Sequence, residues 1–241
     1  QVMIPVKPVI EADLLIVGGG IGGLMAGIAA GKAGCKNVVI MEKCHARRSG
    51  SGATGNDHFN CYIPSISDDI EPVFKETMQS LVGQLKEPSL MHKFLEKSFE
   101  LVQMWDAWGV NMRPTGDWEC KGHALPGKPR AFLKMTPDQK KVLVREAKAV
   151  GVKFYTIIVV ELARVGGRIA GALAVDISTE QPALPVRAKT VLLATGLTHR
   201  LYLNASTPGF MFNTGLPQLR GRTGLGWRVG ARMVNMEFPY T

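Results

Sequence analysis

The clearest hydrophobic pattern lies near the N-terminus, where a short apolar run leads directly into a glycine-rich turn. Residues 13–17 (DLLIV) predict a strand that is buried on both faces, and residues 18–23 (GGGIGG) follow it at once. Residues 24–33 are rich in Ala, Leu and Met and predict a helix whose small face packs close to a sheet. Residues 38–41 (VVIM) predict a second buried strand, and Glu42 follows it. This order predicts a βαβ unit with a parallel sheet.

Amphipathic helices are predicted in the middle of the chain. Residues 70–85 and 89–110 have the apolar spacing of two such helices, whose apolar positions we assign to the core. Residues 136–139 (TPDQ) form a capping box that opens a further helix, ending at about residue 150. We interpret residues 66–135 as a helical or irregular insertion in the α/β domain.

Strands dominate the pattern after this helix. Residues 154–161 and 168–177 predict two strands that a Gly-Gly turn joins into a hairpin. Residues 188–194 (AKTVLLA) predict another buried strand, which runs into Thr195 and Gly196. Gly196 permits a bend at that point.

Composition agrees with a globular protein, and the cysteine content indicates its cellular compartment. Of the 241 residues 46% are hydrophobic and 20% are charged, which excludes disorder, collagen and a coiled coil. The four cysteines form neither a C-x-x-C motif nor a metal-ligand cluster, so we expect reduced thiols, no metal site and a cytoplasmic location. No apolar run is long enough to predict a membrane span or a signal peptide. The chain begins with Gln, which we interpret as processing or a boundary within a longer chain.

The net charge of +9 is concentrated late in the chain. Residues 187–241 carry seven basic side chains and one acid, without a continuous basic run or interleaved exposed aromatics. This pattern disfavours nucleic-acid binding. It indicates either a solvated basic face or a site for an anionic substrate or for cofactor phosphates.

The glycine turn has the spacing of a dinucleotide-binding fingerprint, G-x-G-x-x-G. Gly18 permits the tight turn, Gly20 and the adjacent Ile21 let the backbone approach a pyrophosphate, and Gly23 lets the helix sit against the strand. Glu42 follows Gly23 by 19 residues and would accept hydrogen bonds from an adenosine ribose, while repelling a 2′-phosphate. FAD and NAD both use this cradle, and a plain glycine-rich turn without a ligand is the alternative.

A second glycine cluster follows at residues 48–56 (RSGSGATGN). Such small residues let backbone amides approach a flat or anionic ligand, although a flexible surface loop has the same composition. With the preceding Glu42-Lys43 pair, the segment resembles the fumarate reductase/succinate dehydrogenase flavoprotein family, in which these motifs lie along FAD. The spacing R-S-G-x-x-A-x-G, followed by N-x-Y, is most similar to the adenylylsulfate reductase α-subunit branch. The matching residues here are Arg48, Ser49, Gly50, Ala53, Gly55, Asn60 and Tyr62.

The resemblance extends from about residue 12 to residue 238 and carries further expectations. Members with covalent FAD have His where Gly50 stands, so the resemblance implies noncovalent FAD. It places the backbone of Val159 against the adenine and returns the chain to the cofactor at the A-T-G turn after the late strand. Gly224 matches a T-G-D-G helix, in which Leu225 here replaces the Asp.

By this resemblance the fold is an α/β, FAD-binding Rossmann-like (two-dinucleotide-binding) domain with a parallel sheet, helices and a small antiparallel hairpin sheet. Residues 1–241 would form the N-terminal portion of a longer flavoprotein, whose capping domain and closing segment are absent here. The residues expected to bind FAD are Gly18, Gly20, Ile21, Gly23, Glu42, Lys43, Arg48, Ser49, Gly50, Gly55, Asn56, Val159, Ala194, Thr195, Gly196 and Gly224.

The resemblance further implies an FAD-dependent oxidoreductase subunit, with flavin N5 chemistry on a small anionic substrate and electrons from an iron–sulfur partner subunit. Asn60 and Tyr62 would be the catalytic residues on the substrate side of the ring. A fumarate reductase-type enoate reductase is one alternative. A noncatalytic electron-transfer or scaffold paralogue is another, and an NAD-binding dehydrogenase domain fits the second glycine cluster less well.

Overall fold

The structure, a computed structural model, describes residues 10–53, 58–67, 69–79, 86–119, 132–134, 138–176, 183–196 and 221–234. The strands are β1 (Ile10–Val17), β2 (Val38–Glu42), β3 (His58–Asn60), β4 (Phe132–Lys134), β5 (Lys153–Thr156), β6 (Ile158–Val165), β7 (Arg168–Val175) and β8 (Ala183–Leu193). The helices are α1 (Ile21–Lys32), α2 (Ile70–Gln79), α3 (Pro88–Ala107), α4 (Gln139–Ala149) and α5 (Gly221–Arg228). The chain divides into two compact units, one of residues 1–54 and 143–241 and one of residues 55–142.

The first unit is built on a six-stranded sheet in the order β5-β2-β1-β8-β7-β6. Strands β5, β2, β1 and β8 run parallel, and β8, β7 and β6 are paired antiparallel. Every residue of β2 is buried, as its apolar run predicts for a central parallel strand. In chain order the parallel strands lie third, second, first and fourth, so the order reverses between β1 and β8. Ligands of doubly wound sheets bind at the carboxyl ends of the strands at such a switch point.

The predicted single strand 154–161 is wrong, because the structure has two strands there, β5 and β6. The chain changes partners at Ile157: β5 pairs with β2, whereas β6 pairs with β7. The Ile157 N–H donates to the carbonyl of Glu42 (2.9 Å), which fixes the break beside the end of β2. Local sequence carries no signal for this exchange, since both halves are apolar and β-prone.

The predicted hairpin is present, and its turn explains why two glycines are needed. Gly166 and Gly167 have φ of 55° and 81°, and a two-residue turn with both φ values positive matches the twist of the flanking strands. Strand β8 is longer than predicted and pairs with both β1 and β7. The antiparallel hairpin therefore continues the parallel sheet through β8 instead of forming a separate sheet.

The second unit contains α2, α3 and the β3–β4 pair, and the predicted insertion 66–135 falls within it. Val73 and Leu95 are the buried centre of the α2–α3 contact. Helix α3 begins with Pro88 at its first turn, and its C-terminal turn leads to Gly109 at φ +91°. Helix α4 starts at Gln139; the first two residues of the predicted capping box lie outside the described residues.

Two sequence expectations concern the chain as a whole. Cys35, Cys44 and Cys61 are free thiols, and Cys120 lies outside the described residues. Across the described ranges, every helix is too short or too polar to cross a membrane.

Candidate functional site

The carboxyl ends of β1, β2 and β8 meet at Gly18. Its N–H donates to the carbonyl of Met41 (2.8 Å), and the N–H of Ala194 donates to the carbonyl of Val17 (2.9 Å). Gly18 has φ +110°, and a Cβ there would lie 2.4 Å from the carbonyl oxygen of Ala194. Two segments that the sequence assigned to one site, the glycine turn and the A-T-G turn, are thus in direct contact.

Helix α1 starts on this turn, and its glycines have different surroundings. A Cβ on Gly23 would lie 2.0 Å from the carbonyl oxygen of Gly18, so the helix rests directly on the loop. Gly20 is the N-cap residue, with extended backbone, and no heavy atom of the described chain lies within 4 Å of a Cβ built there. The first turn of α1 carries no acidic side chain. Among the described residues, nothing fills the space beside Gly20 at the start of α1, where the positive end of the helix dipole suits a phosphate.

The second glycine cluster folds onto the first. A Cβ on Gly50 would lie 3.4 Å from the Cα of Gly20, and one on Gly52 would meet the side chain of Ile21 at 2.2 Å. Ser49 directly precedes Gly50 in the chain and is only 5% exposed. Its Oγ has no hydrogen-bond partner among the described residues. A buried hydroxyl without a partner costs about 1–3 kcal/mol, so this group fits a ligand that supplies one.

A cavity of about 150 Å³ opens beside Gly18. Glu42 lines it and is held in place, because the buried Gly19 N–H donates to its Oε2 at 2.6 Å. The lining residues come from strand ends and from one helix: Val17, Gly18, Met41, Glu42, Lys43, Ile157, Ile158, Val159, Val160, Thr195 and Leu225. Pockets that enclose a whole drug-sized ligand measure roughly 300–1,000 Å³, so this cavity is sized for one moiety of a dinucleotide.

The cavity brings together five residues predicted from the sequence. They are Gly18, Glu42, Lys43, Val159 and Thr195. Sequence reasoning missed most of the apolar walls, above all Ile157 at the strand break. The sequence marks Leu225 of α5 only as the residue at the family's Asp position and does not predict that it lines this cavity. The only sequence signal for Ile157 is its position next to a strand end, and that signal depends on knowing where the strand ends.

Three further predicted cofactor residues, Arg48, Gly196 and Gly224, do not line the cavity. Arg48 is exposed and donates its backbone N–H to the carbonyl of His45. Gly196 is exposed with φ +77°, which supports its role in the bend. Gly224 is half-buried in α5, near the guanidinium of Arg228. The predicted Gly55 and Asn56 lie outside the described residues.

Asn60 and Tyr62, predicted as catalytic, belong to the second unit. Phe59 anchors β3 on α3, with its ring 5.6 Å from that of Trp105. After β3, the backbone N–H of Tyr62 donates to Ser98 Oγ of α3 (2.9 Å), which ties this segment to the helix. Asn60 Oδ1, a hydrogen-bond acceptor, is buried without a partner among the described residues, which suits contact with a ligand group that donates a hydrogen bond and leaves the amide nitrogen as the donor.

Comparisons with known proteins agree with this geometry. A family model described as an FAD binding domain matches residues 13–241. A search of curated protein sequences found no match.

Solved structures share the fold. Adenosine-5-phosphosulfate reductase in complex with sulfite is 26% identical, covering 80% of this chain and 31% of its own, with a TM-score of 0.67. Adenylylsulfate reductase from the hyperthermophilic Archaeoglobus fulgidus is 24% identical, covering 94% and 37%, with a TM-score of 0.73. A variant of E. coli quinol fumarate reductase is 23% identical, covering 81% and 34%, with a TM-score of 0.69. The chain spans about a third of the length of these solved chains.

Proposed function

Since this chain belongs to the FAD binding domain family, with FAD as its cofactor, we propose that it is the flavin-binding part of an oxidoreductase that acts on a small anionic substrate. The observation that carries the proposal is the space beside Gly20, which no described residue fills and which Gly50 borders. Ser49, directly before Gly50, adds a buried hydroxyl without a partner among the described residues. Backbone amides, a helix N-terminus and an unsatisfied hydroxyl together suit a pyrophosphate.

We assign the parts of FAD to residues of the first unit. The amides of the turn at Gly18 and Gly20 hold the pyrophosphate. The carboxylate of Glu42, fixed by Gly19, accepts hydrogen bonds from the ribose, and the backbone of Val159 meets the adenine in the apolar cavity. Gly50 stands where, by the family resemblance, members with covalent FAD have His, and this supports noncovalent FAD here.

The chemistry beyond binding comes from the flavin, which transfers electrons between a donor and the substrate. The chain's own contribution is orientation and charge. Asn60 and Tyr62 supply polar donors for an anionic substrate, and the net charge of +9 favours its approach. An iron–sulfur partner subunit is the electron donor. The solved adenosine-5-phosphosulfate reductase, at 26% identity, supports adenylylsulfate as the first substrate to test.

Binding is tested by the visible absorption spectrum of the purified protein, before and after acid precipitation. We expect flavin absorbance that moves entirely to the supernatant. Absorbance that stays with the precipitate would contradict noncovalent attachment.

The role of Gly20 is tested by Gly20→Val, with Gly22→Ala in the same helix as the control. Gly20 has φ −68° and ψ −176°, which valine adopts without strain, so the variant should fold but lose FAD. Gly22→Ala should keep FAD, because Gly22 occupies a variable position of the G-x-G-x-x-G fingerprint. Full flavin occupancy in Gly20→Val would refute the pyrophosphate site.

The identity of the substrate is tested by assaying the full-length protein with a reduced viologen as electron donor. Release of sulfite and AMP from adenylylsulfate supports the proposal. Fumarate reduction without adenylylsulfate turnover would favour the enoate reductase alternative, and flavin binding without turnover of either would favour a noncatalytic role.

A further inference from the structure

Helix α5 is attached to β6 by two different contacts. An ion pair joins Arg228 of α5 to Glu161 of β6, and both side chains are partly exposed. Leu225, one turn earlier, is only 2% exposed and belongs to the core cluster of the first unit. The helix is therefore held by a polar contact outside and an apolar contact inside.

The apolar contact reaches the cavity beside Gly18, to which we assign the adenosine end of FAD. Among the described residues, Leu225 is the one residue of α5 that lines the cavity, and the remaining lining residues come from the strand ends and the turns after them. A ligand that fills the cavity thus meets Leu225 only while α5 is docked on β6. Binding and docking must then favour each other, because a ligand that prefers one conformation stabilises it.

We propose, resting on the proposed FAD site, that Leu225 is a positioning residue for the adenosine end of the dinucleotide and that α5 docking and dinucleotide binding are coupled through it. Leu225 supplies an apolar wall for the base. The Glu161–Arg228 pair holds that wall in place from outside the cavity.

The alternative for this position is the one that the family resemblance implies, an acid that reaches the cofactor. In this chain an Asp at position 225 would place a carboxylate in the cavity that the buried Glu42 already lines. Two carboxylates in one apolar cavity repel each other, and each is costly to desolvate. The two interpretations therefore predict opposite effects of Leu225→Asp.

The experiment is a titration of FAD-free protein with FAD, in which the quenching of flavin fluorescence measures binding. Leu225→Met, which conserves volume, should keep the dissociation constant within about twofold. Leu225→Ala should raise it about tenfold, the factor that corresponds to roughly 1.4 kcal/mol of lost apolar contact. Leu225→Asp should raise it about a hundredfold or more, as a buried charge adds to that loss. Trp227→Ala is the matched control on the same helix, since Trp227 is 69% exposed and does not line the cavity.

Amide hydrogen exchange gives a second readout, and its main comparison needs only the wild-type protein. FAD should slow exchange in α5 of the wild-type protein. As an additional arm, Glu161→Gln should reduce that protection. Unchanged exchange in α5 on FAD binding would overturn the coupling, even if a variant fails to fold. Tighter or equal FAD binding by Leu225→Asp, or unchanged binding by a folded Leu225→Ala, would overturn the role of Leu225. Failure of the wild-type protein to bind FAD would instead refute the proposed function itself.

Discussion

Gly22 and Gly23 are neighbours in the first turn of α1, yet their surroundings differ. A Cβ on Gly22 would meet nothing within 4 Å among the described atoms, whereas one on Gly23 would lie 2.0 Å from the Gly18 carbonyl oxygen. The backbone oxygen cannot move aside cheaply, because Gly18 is itself wedged against Ala194. The motif therefore contains one glycine that packing requires beside one that packing does not.

The prediction for Gly22 and Gly23 concerns the free energy of unfolding. Gly23→Ala should lower the free energy of unfolding by about 1–3 kcal/mol or more, as overpacking does. Gly22→Ala should leave it unchanged or raise it by up to about 1 kcal/mol, because alanine is the better helix former. Urea unfolding followed by circular dichroism measures both. Equal effects of the two substitutions would contradict the close contact at Gly23.

Glu42 has a structural role besides its proposed ligand contact, through the hydrogen bond from Gly19. Glu42→Gln retains an acceptor and should change the free energy of unfolding little. Glu42→Ala removes a hydrogen bond to a buried charged acceptor and should cost about 1.5–3 kcal/mol. Both should weaken FAD binding, since the ribose loses its carboxylate. The pair is compared by urea unfolding without FAD and by FAD titration, and an equally stable Glu42→Ala would contradict the structural role.

At the scale of elements, α2 and α3 are joined by a charged contact as well as by their apolar core. His92 of α3 contacts Glu71 of α2 through Nε2 (2.9 Å) and Glu96 of its own helix through Nδ1 (3.2 Å). The hydrogen bond to Glu71, with a smaller contribution from Glu96, raises the pKa of His92 above its usual 6.5. Protonated His92 therefore strengthens the pairing of the two helices.

The sign of the pH dependence follows from that direction. A raised pKa in the folded state gives stability that is fully present below pH 6.5 and is lost as the pH rises through the folded-state value. The stability difference between wild type and His92→Gln should thus be larger near about pH 5.5 than near about pH 8.5. Glu71→Gln should remove most of the difference, while Lys97→Gln is a charge control on the same helix. A stability difference that grows with pH would contradict the stabilising contact between protonated His92 and Glu71.

At the scale of the whole molecule, the described residues that are proposed to hold FAD fall in the first unit. Its sheet carries the glycine turn at the end of β1 and the A-T-G turn at the end of β8. A ligand at this point joins segments that are far apart in sequence, and so stabilises the sheet as a whole and not one element.

The corresponding prediction concerns hydrogen exchange across the chain. At a free concentration of 100 times its dissociation constant, FAD should stabilise the native state by about 2.7 kcal/mol, and slowly exchanging amides of β1 and β8 should show it. Gly20→Val is the control, because it should fold without this gain. Unchanged exchange of β1 and β8 in the presence of bound FAD would contradict the assigned site.

Much of the first unit could be predicted from the sequence alone, because the signals are local. The apolar run before Gly18 is short and continuous, five of the six residues 18–23 are glycines, and the Gly166-Gly167 turn fixes its hairpin within two residues. A strand, a turn and a helix start are decided by neighbouring residues, so their order and approximate bounds follow from spacing. The candidate ligand contacts at the glycine turn follow for the same reason.

Tertiary structure alone decided the features that depend on which distant segments meet. The break at Ile157 exists because β5 pairs with β2 while β6 pairs with β7, and an apolar run does not encode its partners. The burial of Ser49 and of Leu225 in the site arises from packing between segments far apart in the chain. The sequence thus determined the glycine cradle, and packing determined the walls around it, since backbone turns depend on adjacent residues and cavities depend on contacts across the whole sheet.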